Sequence, residues 1–312
     1  MRIVVTGALG HIGSRLIRAL PDAFRGVEVI MLDDFSTQRF PSLFDLPADA
    51  RYRFVECDVT KAELDSHIAG ADAVIHLAAM TDAASSFGRR DEVERLNFTA
   101  TERVAAACLK HSVPLIVPSS TSVYGTQKSV VDEDCAAEDL KPQSPYAETK
   151  IREEQHLIAL VRQGLRVVVL RLGTIFGTSP GMRFHTAINK FCWQAVMGTP
   201  LTVWKTAYDQ RRPYLDLSDA VAAVFFFIRQ DRFDGRIYNV VTENVSVRTV
   251  VERIKRFVPD LAVTFVDEAI MNQLSYDVAN TRLNELGFRP SGNMERGIAD
   301  TTALLKQCRS LR

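Results

Sequence analysis

The chain has 312 residues, enough for about two domains of ordinary size. Hydrophobic residues make up 46% of it and charged residues 24%, a balance that excludes a disordered chain and predicts a sizeable core. Lys plus Arg and Asp plus Glu each number 38, so no net field draws the chain to nucleic acid or to an anionic membrane.

Arg2 to Thr6 opens the chain as a strand-like run, with no basic or apolar leader before it, so no export is expected. It passes straight into Thr6-Gly7-Ala8-Leu9-Gly10-His11-Ile12-Gly13 and then into the helical pattern Ile12 to Leu20. Glycines three apart at a strand-to-helix turn let backbone N–H groups approach a diphosphate, and the helix N-terminus adds roughly half a positive charge. The next run, Val27 to Leu32, leads to Asp33, 20 residues beyond Gly13. At that offset a carboxylate reaches the ribose hydroxyls of a dinucleotide and repels a 2′-phosphate, so NAD is expected over NADP. Arg39, in the polar loop that follows, is expected to be solvated.

Further runs at Tyr52 to Glu56, Ala73 to Leu77, Leu115 to Pro118, Arg166 to Leu172 and Arg236 to Val240 bring the strands to seven. Most are apolar at consecutive positions, as in strands covered on both faces, and helical patterns at Asp91 to His111 and Tyr146 to Arg162 supply crossovers. The predicted class is α/β, a Rossmann-type doubly wound parallel sheet of about seven strands. From Gly173 the alternation weakens, and Arg183 to Met197, Val247 to Val258 and Met294 to Cys308 read as helices without matching strands. That predicts a dinucleotide-binding domain over 1–172, with 208–242 returning to it, and a smaller, mainly helical substrate lobe over 173–312. Ser218 to Arg229 is too apolar all round for a surface helix and is expected against the sheet. Its apolar stretch, Ala220 to Ile228, falls short of the ~20 residues that span a bilayer, so the expected protein is soluble. Cys57, Cys108, Cys135, Cys192 and Cys308 form no C-x-x-C pair, which predicts reduced thiols in a cytoplasm and no metal site.

In Gln143-Ser144-Pro145-Tyr146-Ala147-Glu148-Thr149-Lys150, Ser144 reads as an N-cap and Pro145 as the first helical residue. Tyr146 and Lys150 then share a helix face, so the ammonium can lie near the phenol. A free tyrosine has a pKa of ~10, and a base matched to neutral pH needs it about three units lower. The spacing alone fits a surface pair equally well. The fifth strand ends in Val117-Pro118-Ser119-Ser120-Thr121-Ser122-Val123-Tyr124-Gly125, a cluster of hydroxyls at a strand's carboxyl end, where parallel sheets bind ligands.

Taken in order, Thr6 to Gly13, Asp33, Cys57-Asp58-Val59, His76-Leu77-Ala78-Ala79, Asn97, Ser120 with Val123-Tyr124-Gly125, Tyr146 with Lys150, Arg171 to Gly177, Arg212 to Asp219 and Tyr238-Asn239 resemble the extended short-chain dehydrogenase/reductase family. Its nucleotide-sugar epimerases and dehydratases are the nearest part of that resemblance. It implies that Gly7, Gly10, His11, Ile12 and Gly13 hold NAD, with Asp33 on its ribose, Asp58 and Val59 at the adenine, and Leu77, Ala78 and Ala79 along it. It further implies that Asn97 supports the active-site backbone and that Lys150 also binds the nicotinamide ribose. Tyr146 would be the acid/base, Ser120 its partner at the reacting oxygen, and Arg212 the clamp on a substrate diphosphate. Dimers of the family pair through helices matching Asp91 to His111 and Tyr146 to Arg162, where Ala105, Ala106 and Ala107 would allow close approach.

Departures from the family's pattern bear on the substrate. Sugar 4,6-dehydratases have two acids after the hydroxyl residue, whereas Thr121 and Ser122 follow Ser120, which argues against dehydration. An Asn usually offered to the diphosphate is missing from Arg171-Leu172-Gly173-Thr174, which leaves Thr174 as the candidate contact there. A second Arg expected before Tyr276-Asp277 is absent, with Asp267, Glu268 and Ala269 in that region. Met80-Thr81-Asp82 and Trp204-Lys205 are further candidates for a sugar site, Thr81 foremost. The expected activity is NAD-dependent epimerisation of a nucleotide-sugar through a transient ketone. The alternatives are a dehydrogenase or reductase of a sugar or related alcohol, and an NAD-sensing protein without chemistry.

Overall fold

The computed structural model describes residues 1–81, 85–125, 128–267 and 275–307. Asp82, Glu268, Ala269 and Cys308, which figure in the sequence reading, lie outside the described residues. The first half of the chain runs β1 (Arg2–Thr6), α1 (His11–Ala23), β2 (Glu28–Asp33), β3 (Arg51–Glu56), α2 (Asp65–Ile68), β4 (Ala73–His76), α3 (Arg90–His111), β5 (Leu115–Ser120), β6 (Val130–Val131), α4 (Pro145–Val161) and β7 (Val167–Leu172). The second half continues with β8 (Thr174–Phe176), α5 (Ala187–Met197), β9 (Leu201–Trp204), β10 (Arg211–Asp216), α6 (Leu217–Arg229), β11 (Ile237–Val240), β12 (Glu243–Ser246), α7 (Val247–Phe257), β13 (Val263–Val266), β14 (Asp277–Val278), α8 (Thr281–Glu285) and α9 (Met294–Lys306).

Seven strands pair in parallel in the order β11-β7-β5-β4-β1-β2-β3. They are the seven runs expected from the sequence. Because successive residues face opposite sides of a sheet, Ile3 and Val5 enter one core with α1 and α6, while Val4 enters another with α3 and α4. Both cores are apolar, which explains why most of these strands are apolar at consecutive positions; the edge strand β3, Arg-Tyr-Arg-Phe-Val-Glu, is the exception. The chain leaves β1 toward β2 and β3, then returns to place β4 on β1's other side. Such a reversal opens a crevice at the strands' carboxyl ends, between Gly7 and Leu77 here.

The region after Gly173 corrects the sequence reading, which expected helices without strands. A second sheet, β12-β10-β8, forms there, with two-stranded pairs β13-β9 and β14-β6. These strands escaped notice because they are short and polar: β12 is Glu-Asn-Val-Ser, and β10 begins Arg-Arg-Pro. A third core, which includes Phe176, Phe191, Tyr214, Val250 and Ile298, binds this sheet to α5, α7 and α9. The helix expected from Arg183 starts only at Ala187, since 177–183 lies against the loop after β1 instead. Ala105 and Ala107 are buried in the core and are not available as a docking stripe; of the three alanines only Ala106 is exposed. The four described cysteines are free thiols, Cys108 and Cys192 fully buried. No described helix is long and apolar enough to cross a membrane.

Candidate active site

At the crevice, Gly7 has φ +63°, and a Cβ on it would lie 2.6 Å from the Ala78 nitrogen. Only glycine allows the loop after β1 to approach the end of β4 so closely. Thr6 ties the same two strands together. Its Oγ1 accepts from the Ala78 N–H at 3.2 Å and lies 2.7 Å from His76 Nδ1. Burial takes His76 down to about 3, so its ring is neutral. Gly13 is tight as well, since a Cβ would come 2.5 Å from the Gly7 oxygen, whereas Gly10 would meet only that oxygen, at 3.3 Å.

Gly10 precedes α1, whose first turn carries no acidic residue and no side-chain cap. The N–H groups of that turn are therefore left for an anion, and the narrow, glycine-lined turn fits a dinucleotide diphosphate. His11 contributes main chain there, because its imidazole turns away to Gly177 O at 3.0 Å. Burial lowers it to about 4, so the neutral ring donates to that carbonyl and adds no charge to the cradle. Ile12 packs on the first core.

Asp33, at the end of β2, accepts from Leu9 N at 3.0 Å and Phe35 N at 3.1 Å, which fixes its carboxylate on the phosphate loop. Burial raises its pKa. Arg39 is not solvated, as the sequence suggested. It is half-buried near Asp33 and donates to Gly181 O at 2.7 Å. Asp58 accepts from Thr60 N at 2.9 Å and Thr60 Oγ1 at 2.6 Å, with Lys61 Nζ 2.8 Å away. Those bonds hold it at about 2, and its carboxylate shapes its own turn; Val59 beside it is buried in the second core. Leu77, Ala78 and Ala79 are half-buried along the crevice. Asn97 of α3 clamps the next residue in both directions, with Met80 N donating to its Oδ1 at 2.8 Å and its Nδ2 donating to Met80 O at 2.9 Å.

Helix α4 begins as the sequence indicates. Ser144 Oγ accepts from Ala147 N at 3.2 Å, and Pro145 is the first helical residue. Lys150, 5% exposed, brings its ammonium 5.8 Å from the Tyr146 ring centroid. In the chain alone the phenol is held above its ordinary pKa. Burial pushes Tyr146 up, Lys150 and Arg183 pull it down, and Glu153 opposes them. Ser120 closes β5, where its Oγ accepts from Ser122 N at 3.1 Å and lies 2.8 Å from Ser122 Oγ. Thr121 Oγ1 donates to Leu172 O at 3.3 Å, and neither residue that follows Ser120, Thr121 or Ser122, is an acid.

Arg212 lies on β10, half-buried and near Tyr214 and Tyr276; desolvation lowers its pKa, and its Nη2 donates to Gln210 Oε1 at 2.5 Å. Thr174 on β8 is the register partner of Tyr214. Thr81 Oγ1 is bonded by Arg183 Nη1. Trp204 ends β9 in a separate two-stranded sheet, and Lys205 is exposed.

Two groups of residues go beyond the sequence reading. Arg183 reaches the crevice because 177–183 is seated on the phosphate loop: Ser179 Oγ donates to His11 O at 2.9 Å and Gly181 N to Ser14 Oγ at 2.9 Å. A Cβ on Gly181 would lie 2.6 Å from Gly10 O, so Gly181 was the one legible sign of this approach. The second group is structural. Ser119 and Arg171 both bond Glu154, at 2.5 Å and 2.6–2.9 Å, and Arg171 Nη1 continues to the Tyr124 hydroxyl, which donates to Asn239 Oδ1. Arg171, Tyr124 and Asn239 thus brace β5, β7, β11 and α4 from inside and do not line the crevice as ligands.

Residues 3–240 match the model of the NAD dependent epimerase/dehydratase family. The chain belongs to that family. Its cofactor is accordingly NAD, in keeping with the glycine cradle and the fixed carboxylate at Asp33. Among relatives, an uncharacterized UDP-glucose epimerase, YtcB, of Bacillus subtilis is 30% identical over 98% of both chains. A dTDP-glucose 4,6-dehydratase of Streptomyces niveus is also 30% identical, over 96% of this chain and 91% of the other. The solved structure of MoeE5 in complex with UDP-glucuronic acid and NAD superposes with a TM-score of 0.85 at 27% identity, covering 99% of this chain and 100% of that one. At 30% each, identity does not separate the epimerase from the dehydratase.

Proposed function

We propose that this family member is an epimerase of a nucleoside diphosphate sugar that works through a transient ketone. The observation that carries this reading is Ser120, Tyr146 and Lys150 at the sheet's carboxyl edge, with Thr121 and Ser122 where dehydratases of the family hold acids. NAD, when bound, supplies the hydride acceptor and later returns the hydride. Tyr146 takes the proton of the substrate hydroxyl and gives it back on the return step. Ser120 donates to the oxygen as it becomes a carbonyl, and Lys150 holds the phenol's field and the nicotinamide ribose.

The loop Gly7 to Gly13 holds the diphosphate of NAD, Asp33 the adenosine ribose, and Asp58 with Val59 the adenine. Leu77 to Ala79 line the cofactor over a backbone that Asn97 fixes. Arg212 takes the substrate's diphosphate, since its fork matches phosphate oxygens, with Thr81 and Thr174 as further substrate contacts. In this reading residues 1–172 with 208–242 form the cofactor domain and 173–312 the substrate lobe, supported by α6 and β11 packing on the first core and by the separate core around Phe176 and Phe191, which Tyr214 of β10 joins. The protein works in the cytoplasm as a homodimer paired through α3 and α4, where Ile158 is exposed. Light scattering at micromolar concentration giving the monomer mass of 34.8 kDa would remove the dimer.

The test of function is a binding screen of UDP-, GDP-, CDP-, ADP- and dTDP-sugars, neutral and acidic, followed by product stereochemistry for each hit. An inverted carbon with no net NADH, and NAD still bound after dialysis, is the expected result. Stoichiometric NADH release would make the protein a dehydrogenase.

A further inference from the structure

Lys150 Nζ donates to Glu153 Oε2 at 2.8 Å, with the two side chains 6% and 2% exposed. They sit three residues apart on α4, on the face that also carries Tyr146. A carboxylate in that place has no role in the chemistry proposed above, yet an ion pair excluded from water interacts far more strongly than a surface pair. We infer that Glu153 is a positioning residue: its buried pair with Lys150 fixes the ammonium beside Tyr146, moderates that ammonium's field, and so sets the pH at which the phenol becomes the base. This rests on Tyr146 being the acid/base.

The surroundings isolate Glu153 as the source of this effect. On α4 itself, Glu154 is bonded to Arg171 and Ser119; its charge still acts on Lys150 and Glu153, but Glu153 is the acid that acts on Tyr146 itself. From α3, Thr101 faces Glu153 and offers a hydroxyl, not a charge. From β4, His76 faces Lys150 as a neutral ring. Arg183 acts on Tyr146 from the opposite lobe and favours phenolate. Burial raises Glu153 and Lys150 pulls it back down, and Glu153 in turn opposes ionisation of Tyr146. An ammonium has three donors. Glu153 takes one, which orients the other two.

The test is a titration of the Tyr146 phenol in NAD-loaded protein, read as the ultraviolet phenolate signal of each protein minus that of its Tyr146→Phe counterpart. Glu153→Gln keeps an acceptor for Lys150 and removes the charge, so the phenol should ionise about one pH unit lower. Glu153→Asp retains the charge at a longer reach and should fall between wild type and Gln. A residue that only supports packing would not produce that order. An unmoved or upward-shifted titration in Glu153→Gln overturns the proposal; should that variant not fold, an unmoved titration in Glu153→Asp does the same. Turnover of a nucleotide-sugar by the Tyr146→Phe protein is a separate readout. Its survival would sink the acid/base reading whatever Glu153 does.

Discussion

Three glycines in the loop after β1 look alike in the sequence, but the space around each Cβ differs. Gly7 needs a positive φ and backbone contact at 2.6 Å, and Gly13 meets the Gly7 oxygen at 2.5 Å, while Gly10 has 3.3 Å. Gly7→Ala and Gly13→Ala should each destabilise the protein by about 2 kcal/mol or more through strain and overpacking. Gly10→Ala should alter stability by less than about 1 kcal/mol, and its effect should appear in NAD affinity. Urea unfolding and NAD titration of the three variants check this; equal losses of stability would contradict it. At this scale the sequence was informative about placement where local geometry needs a fixed residue type at a fixed offset, as with Gly7 in its turn, Asp33 on the loop after β1 and Lys150 beside Tyr146. It was silent on which way a side chain turns. His11 points to Gly177 and Arg39 to Gly181, because both contacts are made across more than 140 residues of chain.

At the scale of elements, most strands of the main sheet were legible because burial on both faces demands nearly unbroken apolar runs, and the edge strand β3 by its β-branched and aromatic residues. The second sheet was not, since its strands are three to six residues long, polar in part and partly exposed. The motif from Arg212 to Asp219, visible only as a resemblance, is the end of β10 running into α6, whose first turn is capped by Asp216 accepting from Ser218 N at 2.8 Å. Helix α4 carries both the proposed catalytic pair and a structural acid. Removing that acid in Glu154→Ala leaves Arg171 buried without its bidentate partner and should cost about 3–5 kcal/mol. Ser144→Ala, which removes a hydrogen bond at the same helix's start, should cost only about 1 kcal/mol. Comparable urea midpoints for the two variants would refute the distinction.

For the whole molecule, two buried histidines make stability depend on pH. His11 and His76 fall from 6.5 to about 4 and about 3 on folding, so the unfolded chain binds their protons first. Their contribution is complete above pH 6.5 and declines as pH drops toward those lower values, by up to about 1.4 kcal/mol per pH unit for each. Urea midpoints should therefore fall between pH 7 and pH 5, and His11→Gln, whose amide can still donate to Gly177, should remove part of that fall. A midpoint independent of pH would count against neutral burial. Both histidines lie where the two halves of the site meet, one at β4's end and one against 177–183, so acid would loosen the site along with the fold.

The account depends on Tyr146 moving a proton while a substrate carbon is oxidised and reduced again in place. The direct measurement is rapid mixing of NAD-loaded protein with the nucleotide-sugar found by screening, followed by nicotinamide absorbance and product analysis. Wild type should show reduced nicotinamide that appears and decays within turnover. Tyr146→Phe should bind NAD normally yet lose turnover by about 100- to 10,000-fold. Undiminished turnover in Tyr146→Phe, or inversion of the sugar carbon without any reduced nicotinamide and with exchange of its hydrogen into solvent, would contradict the account.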